Sequence, residues 1–210
     1  MKLNLGCAEQ IIEGWVNVDY ALGARLVKLP IVGFFVKKFK LFKSDWDDRI
    51  FLHNLEKPLP WPNNSVDVIY TSHTLEHMTK ESGSRLLKEC FRVLKPKGVL
   101  RVIVPDLKSF LQDYSEEKFP AEDFCKKLGV ELAPADSLKG ILKRSMEFPH
   151  QCMYTTTRLL HITKEIGFVA NEKKPFESEI SDIQMIEKED RTIRAVIVEC
   201  LKDKEHIKEQ

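Results

Sequence analysis

The feature that most constrains the fold is a nearly unbroken apolar run, GVLRVIVPD, at residues 98–106. A strand that is apolar on both faces is covered on both sides, as the central strands of parallel sheets are. Apolar residues between Leu87 and Leu94 repeat at helical spacing just before it, and the KPKG segment at 95–98 ends that helix. A helix followed by a doubly covered strand indicates an α/β fold.

Six further segments have the apolar, β-branched composition of strands and alternate with helical patterns. The segments are KLNLG at 2–6, WVNVDY at 15–20, RIFLHNL at 49–55, VDVIYTS at 66–72, FVANEKKPFES at 168–178 and TIRAVIVECL at 192–201. Together with the apolar run they predict a doubly wound, mostly parallel, seven-stranded sheet. An amphipathic helix that ends at Gly167 precedes the last two strands, which are expected to pair.

The chain has 210 residues, which favours a single domain over residues 1–201 and a frayed tail at 202–210. Two segments interrupt the alternation of strands and helices. One is a basic, aromatic insertion at 21–49, and the other is a helical insertion at 107–150. Both follow the carboxyl end of a strand, where open α/β sheets bind ligands, so the second is expected to cover the site.

Composition excludes several classes of protein. The net charge of +1 argues against a dedicated nucleic-acid-binding protein. Five scattered cysteines without a C-x-x-C pair suggest neither a disulfide framework nor a cysteine zinc site. No leader pattern is evident at the start, and no apolar run reaches the roughly 18 residues that a membrane span needs. The sequence therefore predicts a cytoplasmic protein.

The insertion also has an unusual charge pattern. Residues 21–43 carry six positive side chains and no acidic one, together with four phenylalanines. One interpretation is a lid that covers an anionic or lipid-linked acceptor. The other is a surface within 26–43 that makes weak contact with anionic membranes, which would place the protein at the membrane periphery.

Three motifs in order carry a family resemblance: LNLGCAEQIIEGWVNVD at 3–19, LHNLEKPLPWPNNSVDVIYTSHTLEHM at 52–78, and LKECFRVLKPKGVLRVIVPDL at 87–107. The chain resembles the class I S-adenosylmethionine-dependent methyltransferases, and within them the small bacterial type 11-like branch. The resemblance covers Lys2 to Asp106, and more weakly Tyr154 to Cys200. It implies a Rossmann-like sheet with an antiparallel closing strand. It also implies methyl transfer from S-adenosyl-L-methionine to oxygen or nitrogen of a small-molecule or lipid-linked glycan acceptor.

The resemblance also implies a set of cofactor-binding residues. Gly6 would let the backbone approach the ligand closely, and the carboxylate of Asp19 would accept the ribose hydroxyls. Asn54 would meet the adenine edge. The full set is Leu5, Gly6, Cys7, Ala8, Asp19, Tyr20, Asn54, Leu55, Ser72 and His73. The structural alternatives are a tight turn at Gly6, a solvated strand end at Asp19 and an amide at Asn54 that caps its own turn.

Two features depart from the family pattern. Ala8 stands where these proteins usually have glycine, and a side chain there resists positive φ, so cofactor binding is expected to be weakened but kept. Only eight residues separate Gly6 from Trp15, which leaves room for about one helical turn in a parallel crossover. Ala8 also motivates an alternative, a protein that binds the cofactor without turnover.

Residues 73–77 spell H-x-x-E-H, the inverted signature of zinc proteases. That zinc site requires both histidines on one continuous helix. His73 comes directly after a predicted strand, and L-E-H after the fourth strand is also common in the methyltransferases that the chain resembles. The sequence therefore predicts no metal site and leaves a zinc hydrolase as the weaker alternative.

Two histidines are candidates for catalysis. A hydroxyl acceptor needs a general base near neutral pH, and histidine has a suitable pKa. His73 would lie beside the methyl group, and His150 follows the insertion that is expected to roof the site. The alternative for each is a histidine that only satisfies local hydrogen bonds.

Overall fold

The computed structural model describes residues 1–39, 46–132, 134, 136–137 and 148–203. Its centre is a seven-stranded sheet in the order β3-β2-β1-β4-β5-β7-β6. Only β7 runs antiparallel to its neighbours β5 and β6, which confirms the predicted Rossmann-like sheet with an antiparallel closing strand. The strands are β1 (Lys2–Leu5), β2 (Val16–Asp19), β3 (Phe51–Leu52), β4 (Val66–Ser72), β5 (Leu94–Pro105), β6 (Phe168–Glu172) and β7 (Ala195–Lys202).

The described helices follow the predicted alternation. They are α1 (Leu22–Val27), α2 (Pro30–Phe39), α3 (Lys80–Val93), α4 (Leu107–Ser115), α5 (Phe124–Leu128), α6 (Thr156–Ile166), α7 (Ile183–Ile186) and α8 (Glu189–Thr192). Short 3-10 helices lie at Leu75–His77 and Ala121–Asp123. The hydroxyl of Thr79 caps α3 by accepting a hydrogen bond from the Ser82 amide. Gly167 ends α6 with φ of 113°, a left-handed conformation that suits glycine.

The core has two main layers. On one face of the sheet, α3 and α6 bury a large apolar cluster that includes Leu87 and Leu159. On the other face, a smaller cluster joins Trp15 to Ile183 and Ile186 of α7. Both layers exclude water from the sheet, which is the main source of stability in such a fold.

A buried arginine ties the closing segment to the sheet. Arg101 of β5 is completely buried and donates hydrogen bonds to the carboxylates of Glu187 and Glu199. It also donates to the backbone carbonyls of Lys174 and Glu177. These acceptors offset the cost of removing the charged guanidinium from water. Because they belong to residues 174–187 and to β7, the arginine holds residues 174–187 against β5 and β7.

The first crossover, residues 6–15, contains turns and no helical turn of the expected kind. Two buried asparagines replace a helix there. The side-chain oxygen of Asn17 accepts hydrogen bonds from the side-chain amide of Asn4 and from the backbone amide of Ile12. The side-chain amide of Asn17 donates a hydrogen bond to the backbone carbonyl of Ile12. Asn4 in turn donates to the carbonyl of Gln10. These side chains satisfy backbone groups that a helix would otherwise pair, which explains how so short a connection closes.

The carboxyl-terminal boundary lies one residue beyond the predicted one. Lys202 belongs to β7, and its buried ammonium donates to the carbonyls of Phe91 and Leu94 and to the side chain of Asn64. Residues 204–210 lie outside the described residues, as do 40–45 and 138–147 of the two insertions. No helix among the described residues is long and apolar enough to span a membrane.

Candidate functional site

The strand order creates a crevice between β1 and β4. The chain proceeds from β1 through β2 to β3 on one side, and through β4 and β5 on the other, so connections leave the two central strands in opposite directions. Ligands of open α/β sheets bind at such a reversal, beyond the carboxyl ends of the strands. The loops that border this position begin at Gly6 and at His73.

Gly6 is required by packing within this edge. Its φ of 73° is left-handed, and a Cβ there would lie 2.1 Å from Oγ1 of Thr74. The space that the missing side chain leaves is therefore filled by the loop after β4. Contact between Gly6 and a ligand stays a prediction.

Ala8 adopts the conformation that its side chain resists. Its φ is 47°, in the left-handed region. Its amide donates to Oδ2 of Asp19 at 2.8 Å. The alanine that departs from the family pattern therefore takes the backbone shape that a glycine would adopt more cheaply.

Asp19 organises both loops on its side of the crevice. Oδ1 accepts hydrogen bonds from the amides of Tyr20 and Ala21, each at 2.7 Å, and Oδ2 accepts from Ala8. A carboxylate has about four acceptor positions, so these bonds leave about one for a ligand. To accept hydrogen bonds from both ribose hydroxyls, Asp19 would therefore have to give up or share one of the bonds that it accepts from backbone amides.

The remaining predicted cofactor residues differ in how accessible they are. Leu5 and Cys7 are buried, and burial raises the pKa of the Cys7 thiol to about 12, with the charge of Asp19 as a second cause. Tyr20 is exposed, and the guanidinium of Arg25 lies 4.9 Å from its ring centre. Only the backbone of Leu5 and Cys7 is available to a ligand, whereas the ring of Tyr20 is open to one.

Asn54 caps its own turn, which was the structural alternative. Its Oδ1 accepts a hydrogen bond from the amide of Glu56 at 3.0 Å. Leu55 packs against the main core. The amide of His53 donates to the carbonyl of Asp19, which brings this loop to the end of β2. Placement of Asn54 beside an adenine stays a prediction.

His73 leaves β4 as predicted and does not begin a helix. Its φ is 53°, and its amide donates to the carbonyl of Ile103. Nε2 lies 2.9 Å from the carbonyl of Arg191, so this nitrogen carries a proton, and Nδ1 lies 3.2 Å from Oε1 of Glu76, with which the protonated ring would pair. Burial lowers the pKa of His73, but the contacts with Glu76 and Arg191 outweigh it and raise the pKa overall.

His150, the second candidate base, lies next to the same loop. Its ring contacts that of His77, and both lie near Glu76. Burial lowers the pKa of His150, while the charge of Glu76 partly opposes this effect. The two candidate bases are therefore held on either side of one buried carboxylate, a grouping that the sequence alone did not indicate.

A cavity of about 380 Å³ opens beside His150, beyond the end of β5. The insertion after β5 supplies most of its wall. Its lining combines aromatic and charged side chains: Asp106, Phe110, Lys118, Phe119, Lys127 and Arg194. A cavity of this size suits a small polar molecule.

Comparison with known proteins identifies the amino-terminal half. A family model described as a methyltransferase domain matches residues 3–102, from β1 into β5. A protein of Mycolicibacterium smegmatis, named a probable S-adenosylmethionine-dependent methyltransferase, is 40% identical over 52 residues. The aligned part is 25% of this chain and 20% of that protein, so the chain spans about a fifth of the length of this relative.

Solved structures share the fold over nearly the whole chain. The PH0226 protein of Pyrococcus horikoshii matches with a TM-score of 0.54 at 16% identity, and the match covers 96% of this chain and 81% of that one. The YcgJ protein of Bacillus subtilis matches with a TM-score of 0.51 at 11% identity, covering 96% and 91%. At these identities the likeness shows the fold alone.

The family match and the sheet order agree with each other. Residues 3–102 match a methyltransferase domain, and β6 and β7 complete the Rossmann-like sheet typical of S-adenosylmethionine-dependent methyltransferases. The cofactor that this class implies is S-adenosyl-L-methionine. The structure adds residues that sequence patterns missed: Thr74 against Gly6, the pair Asn4 and Asn17, and Glu76 between the histidines.

Proposed function

We propose that this protein transfers the methyl group of S-adenosylmethionine to an oxygen or nitrogen of a small-molecule or glycan acceptor. The cavity beside His150 carries the proposal, because His150 in its wall contacts His77 of the loop after β4, and the cofactor of such domains binds at that edge of the sheet. Its charged and aromatic lining favours a polar acceptor with an apolar face, such as a sugar.

The cofactor would be held by the residues at the ends of β1, β2 and β4. Asp19 would accept one ribose hydroxyl through its remaining acceptor position, and the side-chain amide of Asn54 would face the adenine. The loop from Gly6 to Ala8 would border the methionine portion. The left-handed backbone at Gly6 and Ala8 supports this assignment, because it turns the loop sharply at the edge of the crevice.

When bound, the cofactor supplies an electrophilic methyl group, so the protein mainly positions and desolvates the acceptor. His150 borders both the cavity and the loop after β4, and its lowered pKa leaves it neutral near pH 7. A neutral imidazole can accept the proton of an acceptor hydroxyl. His73 is the weaker candidate, because its Nε2 already donates to the Arg191 carbonyl.

The insertion after β2 would form a second wall or a contact with membranes. Helix α2 exposes Ile31 and Phe34 next to a strongly basic sequence. This pattern supports a lid over a lipid-linked glycan, or weak peripheral binding of a cytoplasmic protein to anionic membranes. Nothing in the net charge of +1 favours nucleic acid as a partner.

Methyl transfer is tested by incubating the protein with S-adenosylmethionine and a panel of hydroxyl and amine acceptors. Formation of S-adenosylhomocysteine that depends on an acceptor, and that falls in His150→Gln, supports the proposal. The matched control is His161→Gln, because His161 is exposed on α6 and pairs only with Glu165 among the described residues. Cofactor binding without turnover on any acceptor would instead favour the binding-only alternative.

A further inference from the structure

We propose that Glu76, His77 and His150 form a binding site for a divalent transition metal of the zinc class. Each residue offers one ligand atom, and these atoms all lie within 4.8 Å of one another. Two histidines and one carboxylate are a common ligand set for Zn²⁺ and Fe²⁺. This proposal departs from the expectation of no metal, and it uses a different ligand set from the helical H-x-x-E-H zinc motif.

The spacing is compatible with closure around an ion. Metal bonds of about 2.0–2.2 Å in a tetrahedral arrangement place ligand atoms roughly 3.3–3.5 Å apart. Each pair of ligand atoms must therefore approach by at most about 1.4 Å, which changes of side-chain torsion angles can supply. The 3-10 helix at Leu75–His77 presents Glu76 and His77 together, and the carboxyl-terminal end of the second insertion adds His150.

Unpaired polar atoms at the site are an independent observation that points to a cation. Glu76 is completely buried, and neither of its carboxylate oxygens has a well-directed hydrogen bond within the described part of the chain. The Nδ1 atoms of His77 and His150 are also buried without a partner there. The contact of Glu76 with Nδ1 of His73 leaves Oε2 unpaired among the described residues, and a bound cation would lower the cost of burying this charge.

The backbone around the site is fixed by contacts that do not need a metal. The amides of Gln151 and Cys152 both donate to the carbonyl of Glu76, at 2.7 and 3.1 Å. The side chain of Gln151 donates to the carbonyl of His77 at 2.7 Å. These bonds hold the two ligand-bearing segments together, so the ligands are brought into range before an ion binds.

Gly129 and His73 position two of the ligands. The carbonyl of Gly129 accepts from the amide of His150, and a Cβ on Gly129 would lie 2.8 Å from the His150 ring. Nδ1 of His73 lies 3.2 Å from Oε1 of Glu76, where it can orient the carboxylate. Such outer contacts commonly set the geometry and affinity of a metal site.

The role of the metal in methyl transfer rests on the proposed function. In the metal-bound protein His150 is a ligand, so the metal replaces it as the group that promotes deprotonation of the acceptor. Three protein ligands leave an open coordination position, and His150 also lines the cavity. An acceptor hydroxyl bound there would lose its proton to solvent more readily. Its oxygen would then form the new bond to the methyl carbon, while the carbon–sulfur bond breaks with its electron pair going to sulfur, giving S-adenosylhomocysteine.

The test is titration of chelator-treated protein with Zn²⁺, followed by calorimetry and elemental analysis. We expect about one zinc per chain. Affinity should fall at least 10- to 100-fold in Glu76→Gln, His77→Ala and His150→Gln, because each change removes a ligand. The control His161→Ala should bind zinc as the wild type does. Gly129→Ala should also weaken binding, which tests the site without altering any ligand.

Two outcomes would overturn the proposal: zinc that binds equally well to all variants, and wild-type protein that binds none. Circular dichroism of each variant separates loss of ligands from loss of fold. Calorimetry with S-adenosylmethionine in the absence of metal tests the proposed function separately. Cofactor binding without zinc binding defeats the metal site alone, whereas zinc binding without cofactor binding defeats the methyltransferase function and leaves the site standing.

Discussion

The rings of His77 and His150 lie with their centroids 5.0 Å apart and their planes inclined at 61°. One histidine follows β4 and the other follows the long insertion after β5, so their contact shows that the insertion returns to the central edge of the sheet. His150 therefore links the wall of the cavity to the loop that follows β4. This relationship underlies both proposals.

The asparagine pair that replaces a helix in the first crossover should be important for stability. Asn17→Ala leaves the backbone amide and carbonyl of Ile12 without their side-chain partner, and each unsatisfied buried group costs about 1–3 kcal/mol. We expect the free energy of unfolding in urea to fall by roughly 2–4 kcal/mol. Asn171→Ala, an exposed change in β6, should have almost no effect. Equal effects of the two changes would contradict the assigned role.

Ala8→Gly should stabilise the loop that precedes Asp19. The left-handed φ of 47° costs alanine roughly 1–2 kcal/mol, and glycine adopts it freely. Glycine also gains freedom in the unfolded chain, so the net increase in unfolding free energy should be about 0.5–1 kcal/mol. Urea denaturation measures this change. A loss of stability would show that Ala8 does not hold this conformation in solution.

Asp182 should contribute stability that depends on pH. It accepts a hydrogen bond from the Trp15 indole and pairs with Lys2. Although burial raises its pKa, these two contacts outweigh it and the net pKa lies below the ordinary value of 3.8. A carboxyl whose pKa is lowered by folding stabilises the protein above its unfolded pKa, and this contribution disappears as the pH falls through the folded pKa.

Asp182→Asn should therefore lower the unfolding free energy by about 1–3 kcal/mol at pH 6. The difference from the wild type should shrink below pH 3.8. Denaturation at a series of pH values measures both effects. A difference that stays constant down to the acid transition would contradict the role given to the ionised carboxylate.

Reversing charge in the basic insertion distinguishes a lid from a membrane contact. Lys37→Glu combined with Lys38→Glu should leave cofactor affinity nearly unchanged in either case. For a membrane contact, sedimentation with anionic vesicles should be lost, because each reversal is worth about 2 kcal/mol near such a surface. For a lid, turnover of an anionic acceptor should fall, and the defect should shrink at high salt. If the wild-type protein does not sediment with anionic vesicles, the membrane contact is excluded.

Local patterns predicted the sheet well. The apolar run that became β5 and the alternation around it indicated a mostly parallel sheet of seven strands, because buried parallel strands have a distinct composition. Gly167 ended α6 as expected. The first crossover was predicted as a helical turn and is not one. Its closure depends on a hydrogen bond between the side chains of Asn4 in β1 and Asn17 in β2. Secondary-structure propensities describe only neighbouring residues, so they do not predict such a contact.

The site was predicted less completely. Asp19 and Ser72 lie at strand ends as predicted, because their position in the fold follows from the chain order, and their contact with the cofactor stays a prediction. The role of Gly6 was not recognised, since its missing side chain makes room for Thr74, far away in sequence. The grouping of Glu76, His77 and His150 depends on the return path of the insertion after β5. Nothing in the H-x-x-E-H letters indicates that the third ligand would come from there.

Calorimetric titration with S-adenosylmethionine and with S-adenosylhomocysteine is the most direct test of the central claim. We predict one binding site with affinity in the micromolar range. Asp19→Asn should weaken binding by about 2–3 kcal/mol, roughly 30- to 150-fold, because it removes the charged acceptor that serves the ribose and the Ala8 amide. Asp67→Asn, at the opposite end of β4, should bind as the wild type does. No detectable binding of either ligand at millimolar concentration would contradict the account.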